Sequence, residues 1–269
     1  MIIAAAQLCS GGQRAQNVAT CADFFSRAAA QNADMIVFPE NVLFRGNDSG
    51  FRRSASNIPG SVTRQLSMLS RRFRMAAVWG GLVERADDRL FNTSVFFDEQ
   101  GRLRAAYRKM HLFELYDGRQ VCFRESALFA HGADIVTVRH HGLVFGLSIC
   151  YDVRFPELYR EQVRRGASVL LVPSDFTRRT GRLHWLPLLR ARAIENLSYV
   201  IAPNQCGHNP ETGALSHGHT CGISPWGTVL GELRGDAPGL VFCEVDARVV
   251  ADSRQRIRAL RHRRVASTL

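Results

Sequence analysis

A chain of 269 residues, 46% of them apolar, can bury a large core, and it carries 35 Lys plus Arg against 24 Asp plus Glu, a formal charge of +11. Its basic clusters, 71–74, 178–179 and 254–264, are short and dispersed and have no helix-turn-helix, zinc-finger or RNA-binding signature, which argues against a nucleic-acid partner. The opening Met-Ile-Ile-Ala-Ala-Ala-Gln lacks a basic leader and no stretch is long and apolar enough to span a bilayer, so a single soluble, cytoplasmic domain over 1–269 with no membrane partner is expected.

In chain order, residues 2–7 read as a buried strand. Val18, Cys21, Phe24, Phe25, Ala28 and Ala29 then fall at helical spacing, and 34–38 opens a second strand. A helix is expected over 64–74, followed by apolar runs 76–83 and 93–97 and a hairpin turn at 98–101 into a strand 103–107. The second half repeats the alternation: strand 135–138, a His-His-Gly turn, strand 144–149, a helix 156–165 begun by Pro156, and strand 168–172. A helix over 183–197, strands 199–203, 217–223, 228–230 and 240–245, and a basic helix or tail from 247 complete the chain. Strands joined partly by hairpins and partly by helices predict an α/β fold: two mixed sheets packed face to face with helices outside, a four-layer sandwich.

Seven cysteines, Cys9, Cys21, Cys122, Cys150, Cys206, Cys221 and Cys243, are scattered with no CxxC pair, so most read as reduced, buried small hydrophobes and none as a metal site. Lys109 stands out differently. It is the only lysine among 35 Lys plus Arg. A mutational bias that converts lysine to arginine wherever the exchange is harmless leaves a lysine where a compact ammonium of tunable pKa is needed.

Three chemistry-bearing residues each follow an apolar strand: Glu40 after 34–38, Lys109 after 103–107 and Cys150 after 144–149. If those strands are neighbours, a carboxylate, an ammonium and a thiol meet at one rim, as amide hydrolysis through a thioester requires. An unperturbed thiol with a pKa of about 8.5 must lose its proton; an ammonium stabilises the anion and a carboxylate takes the proton. Lys109 and a backbone N–H, most simply that of Tyr151, then stabilise the oxyanion, each donor worth about 3 kcal/mol. No metal or organic cofactor is needed.

The wording around all three residues, Phe38-Pro-Glu40, Tyr107-Arg-Lys-Met-His-Leu-Phe113 and Ile149-Cys-Tyr-Asp-Val-Arg-Phe-Pro-Glu-Leu-Tyr-Arg160, resembles the signature segments of the nitrilase superfamily, the carbon-nitrogen hydrolases. The likeness to its Nit branch continues through Leu171-Val-Pro-Ser-Asp-Phe-Thr177, His184-Trp185, the run 189–196, Tyr199-Val-Ile-Ala-Pro-Asn204, Pro225-Trp-Gly227 and His262-Arg-Arg264. It implies an α-β-β-α sandwich, a Glu40-Lys109-Cys150 triad, and homodimers that join sandwiches into a longer stack. Glu125 matches the position of the second glutamate, which orients the lysine.

The match loosens at Ser224, where an aspartate is usual, and in the segment 114–122 that shapes the pocket. Arg154 is placed either to bind a substrate carboxylate in bidentate fashion or to form a salt bridge with Asp152 or Glu157. Tyr116, Phe113 and Phe176 are candidates to wall the pocket, and His111 is expected to sit behind it. The expected activity is hydrolysis of a small linear amide, such as a monoamide of a dicarboxylic or 2-oxo acid. An N-carbamoyl hydrolase, a nitrilase and a catalytically silent scaffold are the alternatives.

Overall fold

Alternation along the first strands decides the layers. The computed structural model describes residues 1–116, 118–209 and 211–265. In β1 (Ile2–Gln7) and β2 (Met35–Phe38), Ile3, Ala5, Met35 and Val37 face the core between the sheets, while Ala4, Ala6, Ile36 and Phe38 face an outer helical layer. That outer layer is α1 (Arg14–Ala29) and α3 (Ser61–Phe73), with α2 (Asp48–Ser54) between them in sequence. Phe38 stacks on Trp79 at 4.5 Å and packs against Phe25 of α1 at 5.6 Å, which fixes the end of β2 just before Glu40.

The first sheet continues through β3 (Ala76–Ala86), β4 (Arg89–Phe97) and β5 (Leu103–Arg108). A small hairpin, β6 (Glu114–Tyr116) and β7 (Val121–Arg124), precedes β8 (Thr137–His140) and β9 (Leu143–Leu147). Then come α4 (Pro156–Arg164), β10 (Val169–Leu171), α5 (Arg178–Asn196), β11 (Tyr199–Ala202), β12 (Cys221–Ile223), β13 (Val229–Glu232), β14 (Gly239–Glu244) and α6 (Ala247–Arg256). The two large sheets run β14-β1-β2-β3-β4-β5 and β13-β12-β11-β10-β9-β8. From β5 the first pairs antiparallel, antiparallel, parallel, parallel, antiparallel; from β13 the second repeats that order. Two mixed sheets with helices outside them are the architecture expected from the sequence.

Several boundaries differ for physical reasons. The strand expected over 217–223 is only Cys221–Ile223, because Gly218 (φ 68°) and His219 (φ 56°) are left-handed and break the extended run. The strand expected at 135–138 lies at Thr137–His140, two residues later. α5 starts at Arg178, capped by the Thr177 side chain, five residues before the expected start. Asp117, inside the pocket-shaping segment, lies outside the described residues. Among the described residues, no helix is long and apolar enough to cross a membrane.

Candidate active site

Glu40, Lys109, Glu125 and Cys150 line one cleft of about 780 Å³. Lys109 extends the β4–β5 ladder by one residue, its N–H donating to Asn92 O at 2.8 Å. Its side chain, only 2% exposed, donates from Nζ to Glu40 Oε1 at 2.9 Å and to Glu125 Oε1 and Oε2 at 3.0 and 2.8 Å. Asn92 on β4 donates its amide to both acids, at 2.8 Å to Glu40 and 3.0 Å to Glu125. The second oxygen of Glu40 accepts the Asp175 amide at 2.9 Å, and Glu125 Oε2 accepts the Phe113 amide at 2.7 Å. Buried charge is thus paired and hydrogen-bonded throughout, which is the condition for keeping it.

Room for Glu40 comes from a bulge in β3. The β3–β4 register shifts between Trp79 and Leu82, and Gly81 there has φ 63°. A Cβ on Gly81 would stand 2.8 Å from Glu40 Cγ and 2.9 Å from the Asn41 amide nitrogen.

Cys150 follows β9 through Ser148 and Ile149 and opens a 3-10 turn, Cys150–Arg154. Its φ of 46° is left-handed, a conformation that costs a non-glycine residue about 1–3 kcal/mol. The surroundings hold it there. Cys150 N donates to Pro173 O at 2.9 Å, and the fully buried Asp152 carboxylate accepts Ile149 N at 2.8 Å, Tyr107 OH at 2.7 Å and His111 N at 3.1 Å. His111 Nδ1 also contacts Asp152 at 2.7 Å and its ring stacks on Phe155 at 3.7 Å, which places His111 behind the cleft as expected. Asp152 braces the turn.

The thiol is buried beside one ammonium and two carboxylates. Burial first, then Glu40, hold Cys150 well above its ordinary pKa, with Lys109 acting the other way. Burial likewise raises Glu40 above the usual carboxylate range, Lys109 pulling it down and Glu125 pushing it up. Burial opposes the charge on Lys109, but Glu125 and Glu40 outweigh it and hold the ammonium well above its ordinary value. At 9% exposure Cys150 is buried yet borders the cleft.

Phe113, Tyr151, Arg154 and Phe176 also line the cleft. Tyr116 does not: it stands 60% exposed on β6, and its neighbours Leu115 and Phe123, paired across the hairpin, wall the cleft instead. No salt bridge joins Arg154 to Asp152 or Glu157 among the described residues, since Asp152 is spent on the turn. The guanidinium lies 5.7 Å from the Tyr151 ring centre and 5.5 Å from that of Phe176. Other cleft cations are committed: Arg45 pairs with Asp175, Arg124 with Glu114, and Lys109 with its two acids.

Asn92, Asp175 and Arg45, and the mouth residue Phe51 of α2, were not found from sequence. Asn92 lies within an apolar strand and Asp175 past the end of another, and only the β3–β4 pairing and the bond of the Asp175 amide to Glu40 bring them to the acids.

The carbon-nitrogen hydrolase family matches residues 2–255. The deaminated glutathione amidase of Synechocystis is 37% identical over 267 residues, covering 97% of each chain. Omega-amidase NIT2 of Homo sapiens is 31% identical over 262 residues, covering 97% of this chain and 94% of that protein. A crystal structure of the C. elegans NitFhit protein superposes with a TM-score of 0.89 at 34% identity, covering 98% of this chain and 65% of that one. With its sheets, its cleft and these likenesses together, the chain belongs to the carbon-nitrogen hydrolase family, in the Nit branch of the nitrilase superfamily.

Proposed function

We propose that this cleft is the active site of a cysteine-dependent amidase, which hydrolyses a small linear carboxylic amide to acid and ammonia, of the deaminated glutathione or omega-amidase type. The observation that carries the reading is the Glu40-Lys109-Glu125 cluster beside a left-handed Cys150 in one cleft.

The Cys150 sulfur attacks the amide carbon as Glu40 takes the thiol proton. Lys109 Nζ and the Tyr151 N–H, which makes no hydrogen bond to another described residue, receive the oxyanion. Collapse breaks the C–N bond, and Glu40 returns its proton to the departing amine, leaving a thioester. Water then attacks with Glu40 as base, the C–S bond breaks, and sulfur recovers its proton as the acid leaves. Every step uses side chains already in place, and neither metal nor organic cofactor enters it.

Arg154 is, among the described residues lining the cleft, the one cation outside an ion pair. It suits a substrate bearing a carboxylate at its far end, with Phe113 and Phe176 as walls. The reading takes the whole chain as one hydrolase domain, acting as a cytoplasmic homodimer. Ammonia release across a panel of dicarboxylate monoamides, neutral amides, N-carbamoyl amino acids and nitriles tests it. Turnover of carboxylate-bearing amides is expected; turnover of nitriles or carbamoyl compounds alone would overturn it.

A further inference from the structure

At one edge of the sandwich, β5 of one sheet lies against β8 of the other. Two turns meet there. Glu99 sits in the β4–β5 turn, His140 ends β8, and His141 follows it with φ 43°. His140 Nε2 lies 3.5 Å from Glu99 Oε2, and His141 Nε2 lies 3.5 Å from Glu99 Oε1. One ligand atom from each of the three falls within 4.8 Å of the others.

These separations are long for hydrogen bonds, and among the described residues His140 Nε2 and Glu99 Oε2 are buried with no hydrogen-bond partner. The His140 side chain is 10% exposed, set edge-on to Phe96 at 5.4 Å and to His141 at 4.2 Å. Two ligands bound at about 2.0–2.1 Å on a tetrahedral ion stand about 3.3–3.4 Å apart, close to the two histidine–carboxylate separations of 3.5 Å.

We propose that Glu99, His140 and His141 form a divalent-cation site of the zinc class, which ties the two sheets together where their edge hairpins meet. Two imidazoles and a carboxylate are the donor set such an ion takes, with a water in the fourth position on the solvent side. None of the three lines the catalytic cleft, so the site is structural.

Isothermal titration of the metal-stripped protein with zinc chloride near neutral pH, for the wild type and for His141→Ala, Glu99→Gln and His140→Ala, tests the site. One ion per chain is expected, bound at least about 100-fold more weakly in each variant, beyond what loss of an outer-sphere partner costs. Zinc is expected to raise the melting temperature of the wild type and not of the variants. His141 is 58% exposed and Glu99→Gln preserves shape, so these two remain informative if His140→Ala fails to fold. Unchanged affinity in them, or no zinc binding by the wild type, would overturn the proposal.

Discussion

Glu125 holds the Lys109 ammonium with both carboxylate oxygens, at 3.0 and 2.8 Å, whereas Glu40 offers it one, at 2.9 Å. The asymmetry separates two similar acids. Glu125 is committed to the lysine, Asn92 and the Phe113 amide, while Glu40 is the acid whose charge most perturbs the thiol. Glu125→Gln is therefore expected to lower kcat by about 10²–10³-fold, the scale of losing one oxyanion donor, with little change in KM. Steady-state kinetics on the best amide, with circular dichroism to check the fold, measures the split.

The pH profile follows from the same cluster. Glu40 must be ionised to accept the thiol proton, and burial, reinforced by Glu125 against Lys109, raises its pKa. The acid limb of kcat/KM is expected above the ordinary glutamate value of about 4.3. Removing a negative neighbour by Glu125→Gln should shift that limb to lower pH. A limb that stays in place would show that Glu40 is not the group titrating.

Replacing Lys109 tests stability as well as rate. Lys109→Met leaves two carboxylates buried side by side without their cation, which costs about 3–5 kcal/mol in urea unfolding. Adding Glu125→Gln to that variant is expected to recover part of the loss. Lys109→Arg keeps the charge but places a planar fork where a compact ammonium fits, so folding should survive better than activity.

Gly81→Ala reaches the site through the backbone. The new methyl meets Glu40 Cγ and the Asn41 amide at a residue with positive φ. A loss of about 1–3 kcal/mol in stability and a fall in kcat are expected together, read by thermal unfolding and amide turnover.

The parts of the site visible in the sequence were those that end long apolar strands. β1 and β2 are short continuous apolar runs buried on both faces, so their ends, and hence Glu40, are readable from the sequence. Lys109 is marked by its solitude, and Cys150 by the words around it. The elements missed, α2 and the β6–β7 hairpin, are seven, three and four residues long, too short to carry a period, and they supply Phe51, Leu115 and Phe123 to the mouth of the cleft. An aromatic in the pocket-shaping segment reads as a wall, but the alternation of a three-residue strand turns Tyr116 outward. Catalytic positions are anchored by sheet topology that sequence periodicity reports. Specificity residues ride on short segments whose placement depends on contacts distant in the chain, so the recognition surface was the less legible half.

The central claim is that Cys150 carries the acyl group. Intact-mass spectrometry of protein quenched during turnover of a carboxylate-bearing amide measures it directly. The account predicts an adduct of the acyl mass, without the ammonia, that maps to the Cys150 peptide and that fails to form in Glu40→Gln, which has lost the base for acylation. An adduct on another residue, or turnover retained by Cys150→Ala, would contradict it.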